Sequence, residues 1–272
     1  LQGLNVCFAN SIRRTILSDI PTIVFKTMPY SENKCTIFDN TTKLNNEILK
    51  QRLSCIPIHI SDLSIPINDY LLELNVQNDT EEIKVVSTKD FKIKNNQTDK
   101  YLSDNDVKKI FPPFVGPSNS HEYYIEFVKL LPKISETIPG SKIHLECKFS
   151  ISNSRDDSMF NVVSTCSYGN TIDQERIDIV LNEKMASWKK EGKSKDEITF
   201  EVNNFKTLEA KRIFIPNSFS FIIQSVGVFE NKFLVKQACA ILESKSVKFL
   251  DELQNGEIKI EDAVSTIKNC FD

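Results

Sequence analysis

Ala9-Asn10-Ser11-Ile12-Arg13-Arg14-Thr15-Ile16-Leu17-Ser18-Asp19-Ile20-Pro21-Thr22 is the stretch whose reading decides the fold. Phe8, Ile12 and Ile16 recur at four-residue spacing, which on a turn of ~3.6 residues puts them on one face, with Arg13 and Arg14 away from it. Asn5 can cap the stripe from ahead. Pro21 ends it, because proline disfavours a helical residue before it. The pattern predicts a helix over residues 6–19 with one face in a core.

Outward from it, residues 22–30 and 35–38 are β-branched or aromatic, and Ser31-Glu32-Asn33-Lys34 between them predicts a hairpin turn. Asn45 or Asn46 can cap a second helix carrying Ile48, Leu49 and Leu53, which must stop before Pro57. From 57 to about 169 the pattern changes to short alternating stretches at 72–76, 83–87, 123–128, 142–151 and 162–168, a β-rich module. Its loops hold seven of the ten prolines, and its polar segment 94–106 reads as a mobile loop.

Beyond the module, Ile177, Val180, Leu181, Met185 and Trp188 recur at helical spacing, with Gly192 where such a helix would close. Residues 197–202 and 219–228 read as strands. From Asn231 a long stripe of Leu234, Ala238, Ile241, Lys245, Phe249 and Leu253 predicts a helix of about twenty residues, with half of its apolar width core and the rest suited to a partner helix. Gly256 would close it, and residues 261–271 could form a last short helix. The fold class is α+β, divided as 1–56, an inserted β-rich domain at 57–170, a return at 171–254 and an extension at 255–272.

Composition bounds the function. The 272 residues are 40% hydrophobic and 26% charged, as in a chain with a real core. A net charge of −3 gives no global field toward nucleic acid or an anionic membrane, and no apolar run reaches the ~18 residues a bilayer span needs. Seven cysteines, scattered and without a CxxC pair, read as reduced thiols in a reducing intracellular compartment. The opening Leu1-Gln2-Gly3-Leu4 has no initiator Met, basic segment or apolar run, so it reads as a chain whose beginning is missing rather than as a signal peptide.

Sites of chemistry are sparse. Seven dispersed glycines build no phosphate loop, and His59, His121 and His144 stand isolated. His144 and Glu146, followed by Cys147, fit the HxE fragment of zinc deaminases but lack its PCxxC partner. Asp104 and Asp106 could hold a divalent ion, and Lys189, Lys190, Lys193 and Lys195 beside Trp188 could touch phosphate. A solvated surface is the favoured reading of both.

Residues 9–22 resemble the opening helix of the alpha/D family of RNA polymerase subunits, which comprises the eukaryotic third subunit, archaeal D and bacterial alpha. In that family Asn, a small residue, Leu or Ile and two arginines lead to an acidic residue, Ile or Val, Pro and Thr. Glu47-Ile48-Leu49-Lys50-Gln51-Arg52-Leu53-Ser54-Cys55-Ile56-Pro57 is similar to the family's Glu-Phe-Ile-Ala-His-Arg-Leu-Gly-Leu-Ile-Pro, departing at Gln51 and Ser54. Weaker likenesses follow in order at 86–90, 140–145 and 221–227, and at 160–164 the family's Trp and Pro are both missing.

The resemblance, spanning 1 to about 254, implies a discontinuous dimerisation domain of a sheet plus two interface helices around the inserted domain. It implies no reaction. It implies an assembly subunit that pairs with a smaller alpha-like subunit and carries the largest and second-largest polymerase subunits and small assembly subunits in transcription, with no direct nucleic-acid or membrane contact. The expected dimer anchors are Phe8, Ile12, Ile16, Leu234, Ile241, Leu242 and Phe249; the expected large-subunit contacts are Arg13, Arg14, Glu47 and Arg52. Some relatives carry a zinc loop or an iron–sulfur cluster where this chain has only Cys147 and Cys166, so no metal or cofactor is expected. Location would be the nucleus, or a virion or cytoplasmic factory if the chain is viral. The alternatives are a stand-alone α+β enzyme using His144 and Glu146, or a scaffold of another complex.

Overall fold

Asn5 accepts the Cys7 amide on its side-chain oxygen (3.2 Å) and opens helix α1 (Val6–Ser18), as the apolar spacing predicts. The computed structural model describes residues 1–116 and 121–255. After Pro21 come strands β1 (Thr22–Val24) and β2 (Cys35–Asn40), then helix α2 (Asn46–Ser54), capped by Asn45, which accepts the Ile48 amide at 2.9 Å. Strands β3 (Tyr70–Gln77), β4 (Lys84–Ser87), β5 (Lys92–Asn95) and β6 (Lys100–Tyr101) precede helix α3 (Asp104–Ile110). Strands β7 (Phe114–Val115), β8 (Glu122–Tyr123), β9 (Glu126–Leu130), β10 (Lys142–Lys148), β11 (Ser150–Ser152) and β12 (Val163–Ile172) follow. Helices α4 (Gln174–Lys190) and α5 (Lys195–Asn204), strand β13 (Phe214–Ser225) and helix α6 (Asn231–Gln254) complete the described chain.

The predicted hairpin of residues 22–38 does not form. β1 pairs antiparallel with β11, and β2 with β10. Between them the Thr27 hydroxyl bonds the Ser54 hydroxyl (2.7 Å), so the chain is drawn onto α2, and Pro29 has no N–H to give a ladder. The segment 94–106 is likewise ordered rather than a mobile loop. The Asn95 side chain accepts the Gln97 and Thr98 amides and Asp99 takes a left-handed φ of 56°, which turns β5 back into β6. Ser103 then caps α3.

Five strands form an antiparallel sheet in the order β2-β10-β3-β5-β6, while β4 pairs with β9 and β7 with β8. The inward residues alternate as a half-buried sheet requires: Leu72 and Leu74 on β3 lie opposite Cys147 and Leu145 on β10. Leu49 and Leu53 of α2 join this core, and Phe25 packs on Phe149 with ring centroids 5.0 Å apart. Phe111, Phe91 and Phe127 continue the aromatic file, each such pair adding about 0.5–1.5 kcal/mol beyond its buried area.

This core crosses the expected boundary at residue 57. Two compact units emerge, Thr15–Ser164 with the chain from Ser225 onward, and Leu1–Arg14 with Thr165–Gln224. In the second of these, β12 pairs with β13, the Phe219 amide donates to the Leu1 carbonyl (2.7 Å), and Ile177, Phe205 and Ala210 form a small core with Trp188. Residues 197–202 are helical, not a strand. Ser194 and Glu197 make a reciprocal capping box, and its two satisfied amides outweigh the β-branched Ile198, Thr199 and Val202. The expected closure at Gly256 and the short helix over 261–271 lie outside the described residues.

Gly140 sits where a side chain has no room: a Cβ there would meet the Asn78 carbonyl oxygen at 1.9 Å. Gly140→Ala should therefore destabilise the chain by about 1–3 kcal/mol in urea unfolding. Gly169→Ala, whose Cβ meets nothing within 4 Å, should move stability by no more than about 0.5 kcal/mol.

Candidate assembly interface

The end of α1 is built around Asp19. The Arg155 amide donates to the Ser18 carbonyl (3.2 Å), satisfying an oxygen that the helix leaves open, and the Arg155 guanidinium closes on the Asp19 carboxylate. Lys245 of α6 pairs with the other carboxylate oxygen. The Asp19 side chain is 6% exposed. Burial pushes its carboxyl up, but the hydrogen bonds from Lys245, Arg155 and Ser18 together hold it below the usual carboxylate range. One carboxylate thus ties the end of α1, the loop after β11 and the middle of α6.

The stripes legible in the sequence face inward over much of their length. Ile12, Ile16 and Leu234 are buried by this chain's own atoms, with Ala238 beside Leu234 on α6. Those three expected anchors stand in this chain's own core. Phe8 is 62% exposed with Val6 near it on α1, while Ile241, Leu242 and Phe249 are half-buried. A second stripe on α6, absent from the expected set, is exposed: Phe233, Ala240, Val247 and Leu250, at spacings of seven, seven and three. Those spacings put the four on one helix face. The heptad spacing was the signal that could have found it.

The expected large-subunit contacts divide as well. Arg13 turns its fork onto Asn10 of its own helix (2.9 and 3.1 Å), and Arg14 and Glu47 are exposed on α1 and α2. Arg52 is engaged inside the chain, donating to the carbonyls of Glu126 and Phe127 at 2.8 Å each, so it holds the start of β9 against α2 rather than reaching outward.

A family model described as the RNA polymerase Rpb3/Rpb11 dimerisation domain matches residues 1–246. The chain belongs to that family. Across 280 aligned residues it is 24% identical to the DNA-directed RNA polymerase subunit Rpo3 of Pyrococcus horikoshii, covering 93% of this chain and 92% of that one. It is 23% identical to the human DNA-directed RNA polymerases I and III subunit RPAC1, over 93% of this chain and 80% of the human one. A conjugation stage-specific protein of Tetrahymena thermophila is 27% identical over 68% of this chain.

Within this Rpb3/Rpb11-type chain the remaining candidates are surface chemistry. His144 stacks on Phe38 (centroids 4.8 Å apart), and Glu146 lies opposite Thr36 and Glu73, a carboxylate beside a carboxylate. Cys147 points to the other face, into the core. The enzyme reading of His144 and Glu146 therefore has no geometry behind it. Asp104 and Asp106 lie in the first turn of α3, where Asp106 pairs with Lys109 and Ser103. Lys193 lies over the Trp188 ring and pairs with Glu191 and Glu201. Among the described residues no three metal-ligating side chains cluster, and no helix is long and apolar enough to cross a membrane.

Asp19→Asn should cost about 1–2 kcal/mol at pH 7, because a buried charge-assisted network loses its acceptor charge. A carboxyl held below its unfolded value of ~3.9 contributes fully above that pH and less as pH falls through the folded value. Urea midpoints of wild type and variant should thus differ by a constant amount from pH 7 to ~5 and converge below ~4.

Proposed function

We propose that this chain pairs with a smaller alpha-like subunit, and that the pair is the platform receiving the second-largest and largest catalytic subunits and the small assembly subunits. Membership of the Rpb3/Rpb11 family makes the chain an Rpb3-like, non-catalytic RNA polymerase subunit. Relatives matched over 93% of its length, one archaeal and one human, are both named as DNA-directed RNA polymerase subunits. The observation that carries the pairing is the uncovered apolar stripe on α6, with Val247 at 51% and Leu250 at 55% exposure; Phe8 is exposed separately, in the other unit.

Such a face costs free energy in water and loses that cost when a partner helix covers it, at ~25 cal/mol per Å² over an obligate interface of ~2,000 Å² or more. The unit of Leu1–Arg14 with Thr165–Gln224 supports the same reading. Its sheet has two strands, and Phe214, Ile215 and Ile222 of β13 are exposed, whereas a two-stranded sheet is marginal until something packs on it. Arg14 and Glu47 are exposed where a large subunit would meet them, and the net charge of −3 leaves DNA contact to other chains. The free cysteines suit the reducing interior of a nucleus or a viral factory.

Co-expression with the smaller subunit tests this. Phe8→Asp combined with Val247→Asp should reduce recovery of the smaller subunit at least about tenfold while leaving the chain's own thermal midpoint nearly unchanged, since both positions are exposed. Full recovery of the heterodimer with the double variant, or a wild-type chain that purifies as a stable monomer and draws in no polymerase subunit, would sink the proposal.

A further inference from the structure

Cys35 on β2 and Cys147 on β10 are direct cross-strand partners. They are 1% and 0% exposed, and both belong to the core beside Leu72 and Leu145. One step further along the ladder the Lys148 amide donates to the Lys34 carbonyl (3.1 Å). Hydrogen-bonded and open pairs alternate in an antiparallel ladder, so the two cysteines occupy an open pair. There the Cα atoms approach to about 4.5 Å and the side chains lie closest, within the ~4.4–6.8 Å that a disulfide spans.

We propose that Cys35 and Cys147 are a modification site: a dithiol that a peroxide closes to a cross-strand disulfide. The two thiols are neighbours across the ladder. The adjacent Cys147 thiol lowers the Cys35 thiol below its ordinary value against the opposing effect of burial, and the Lys50 charge lowers it further. The same contact and burial push the Cys147 thiol up. Its S–H can also turn to the Lys148 carbonyl at 3.6 Å. Cys35 stands on the outer strand β2 and Cys147 on the inner strand β10, so Cys35 is the sulfur that an oxidant entering at the sheet edge meets first.

Its thiolate takes one peroxide oxygen to become a sulfenic acid as the O–O bond breaks and the other oxygen leaves as water or an alcohol. Cys147 then attacks the sulfenic sulfur, the S–S bond forms, and the hydroxyl leaves as water with the Cys147 proton. Two thiols lose two electrons and two protons, and the peroxide takes them up. β2 is the outer strand of its sheet, so opening that edge admits the oxidant. The closed bond pins the strand that leads into α2 onto the middle of the sheet.

The other described cysteines have no such partner in the strand register. Cys7, Cys55 and Cys239 are exposed, and Cys166 is buried with its thiol pushed up by that burial. They provide the internal control. The full chain, purified with its partner subunits, is treated with hydrogen peroxide, alkylated, and digested without reductant for mass spectrometry. The expected result is a peptide pair linked through Cys35 and Cys147, two fewer alkylatable thiols after denaturation, reversal by dithiothreitol, and a thermal midpoint raised by about 5 °C. Cys35→Val should abolish the shift. If that variant fails to fold, the wild-type peptide map decides alone. Retention of both thiols while exposed cysteines oxidise, or a disulfide joining any other pair, overturns the proposal.

Discussion

Strand β10 is hydrogen-bonded along both edges, to β2 on one side and β3 on the other, and its inward residues Ile143, Leu145 and Cys147 are almost fully buried. The larger compact unit depends on that double pairing. β2 reaches the sheet only through β10, and α2, which follows β2 in the chain, lays Leu49 and Leu53 on the core the sheet provides. Arg52, on the next turn, then fixes the start of β9 through two backbone carbonyls. A strand at residues 142–148 thereby sets the position of a helix nearly a hundred residues earlier.

From this scaffold the route to function runs through Asp19. Its carboxylate is one of few groups that see both the end of α1 and the middle of α6, and it does so while almost excluded from water, where an ionic contact is stronger and an unpaired one costlier. Fixing α6 at Lys245 fixes the rotation of the whole helix. With Leu234 and Ala238 turned inward, Phe233, Ala240, Val247 and Leu250 must face the solvent side. The exposed apolar face of α6 thus follows from how this ionic contact and the buried Leu234 and Ala238 set the helix.

The helices were legible because their signals are local. Asn5, Asn45 and Ser103 are caps within three residues of the amides they bind, and Pro21 and Pro57 stop what precedes them. Pairing was not legible, since Cys35 meets Cys147 across more than a hundred residues and no local period encodes a partner. The hairpin expected at 31–34 failed for that reason. At 197–202 the β-branched side chains outvoted a signal that was present, the Ser194 to Glu197 capping box. On α6 the stripe read from the sequence is the one this chain partly covers itself and the exposed stripe went unread, because a long apolar helix with two stripes offers no local clue to which one its own chain covers.

The inward turn of the motif residues has a physical meaning. The residues that announce the family in the sequence, Ile12, Arg13, Ile16 and Asp19 in the first motif and Arg52 and Leu53 in the second, all act inward, as core, as a fork on Asn10, as the ionic tie and as the brace on β9. These residues build the scaffold, where a buried charge or a core methylene has one partner geometry. The surface that meets another subunit is under a different constraint, complementarity to whatever that subunit presents, and can drift together with it. Phe233, Ala240, Val247 and Leu250 lie in neither motif. Family membership therefore accounts for the scaffold that carries α6, and the exposed side chains of its outer face lie outside the motifs that reveal the family.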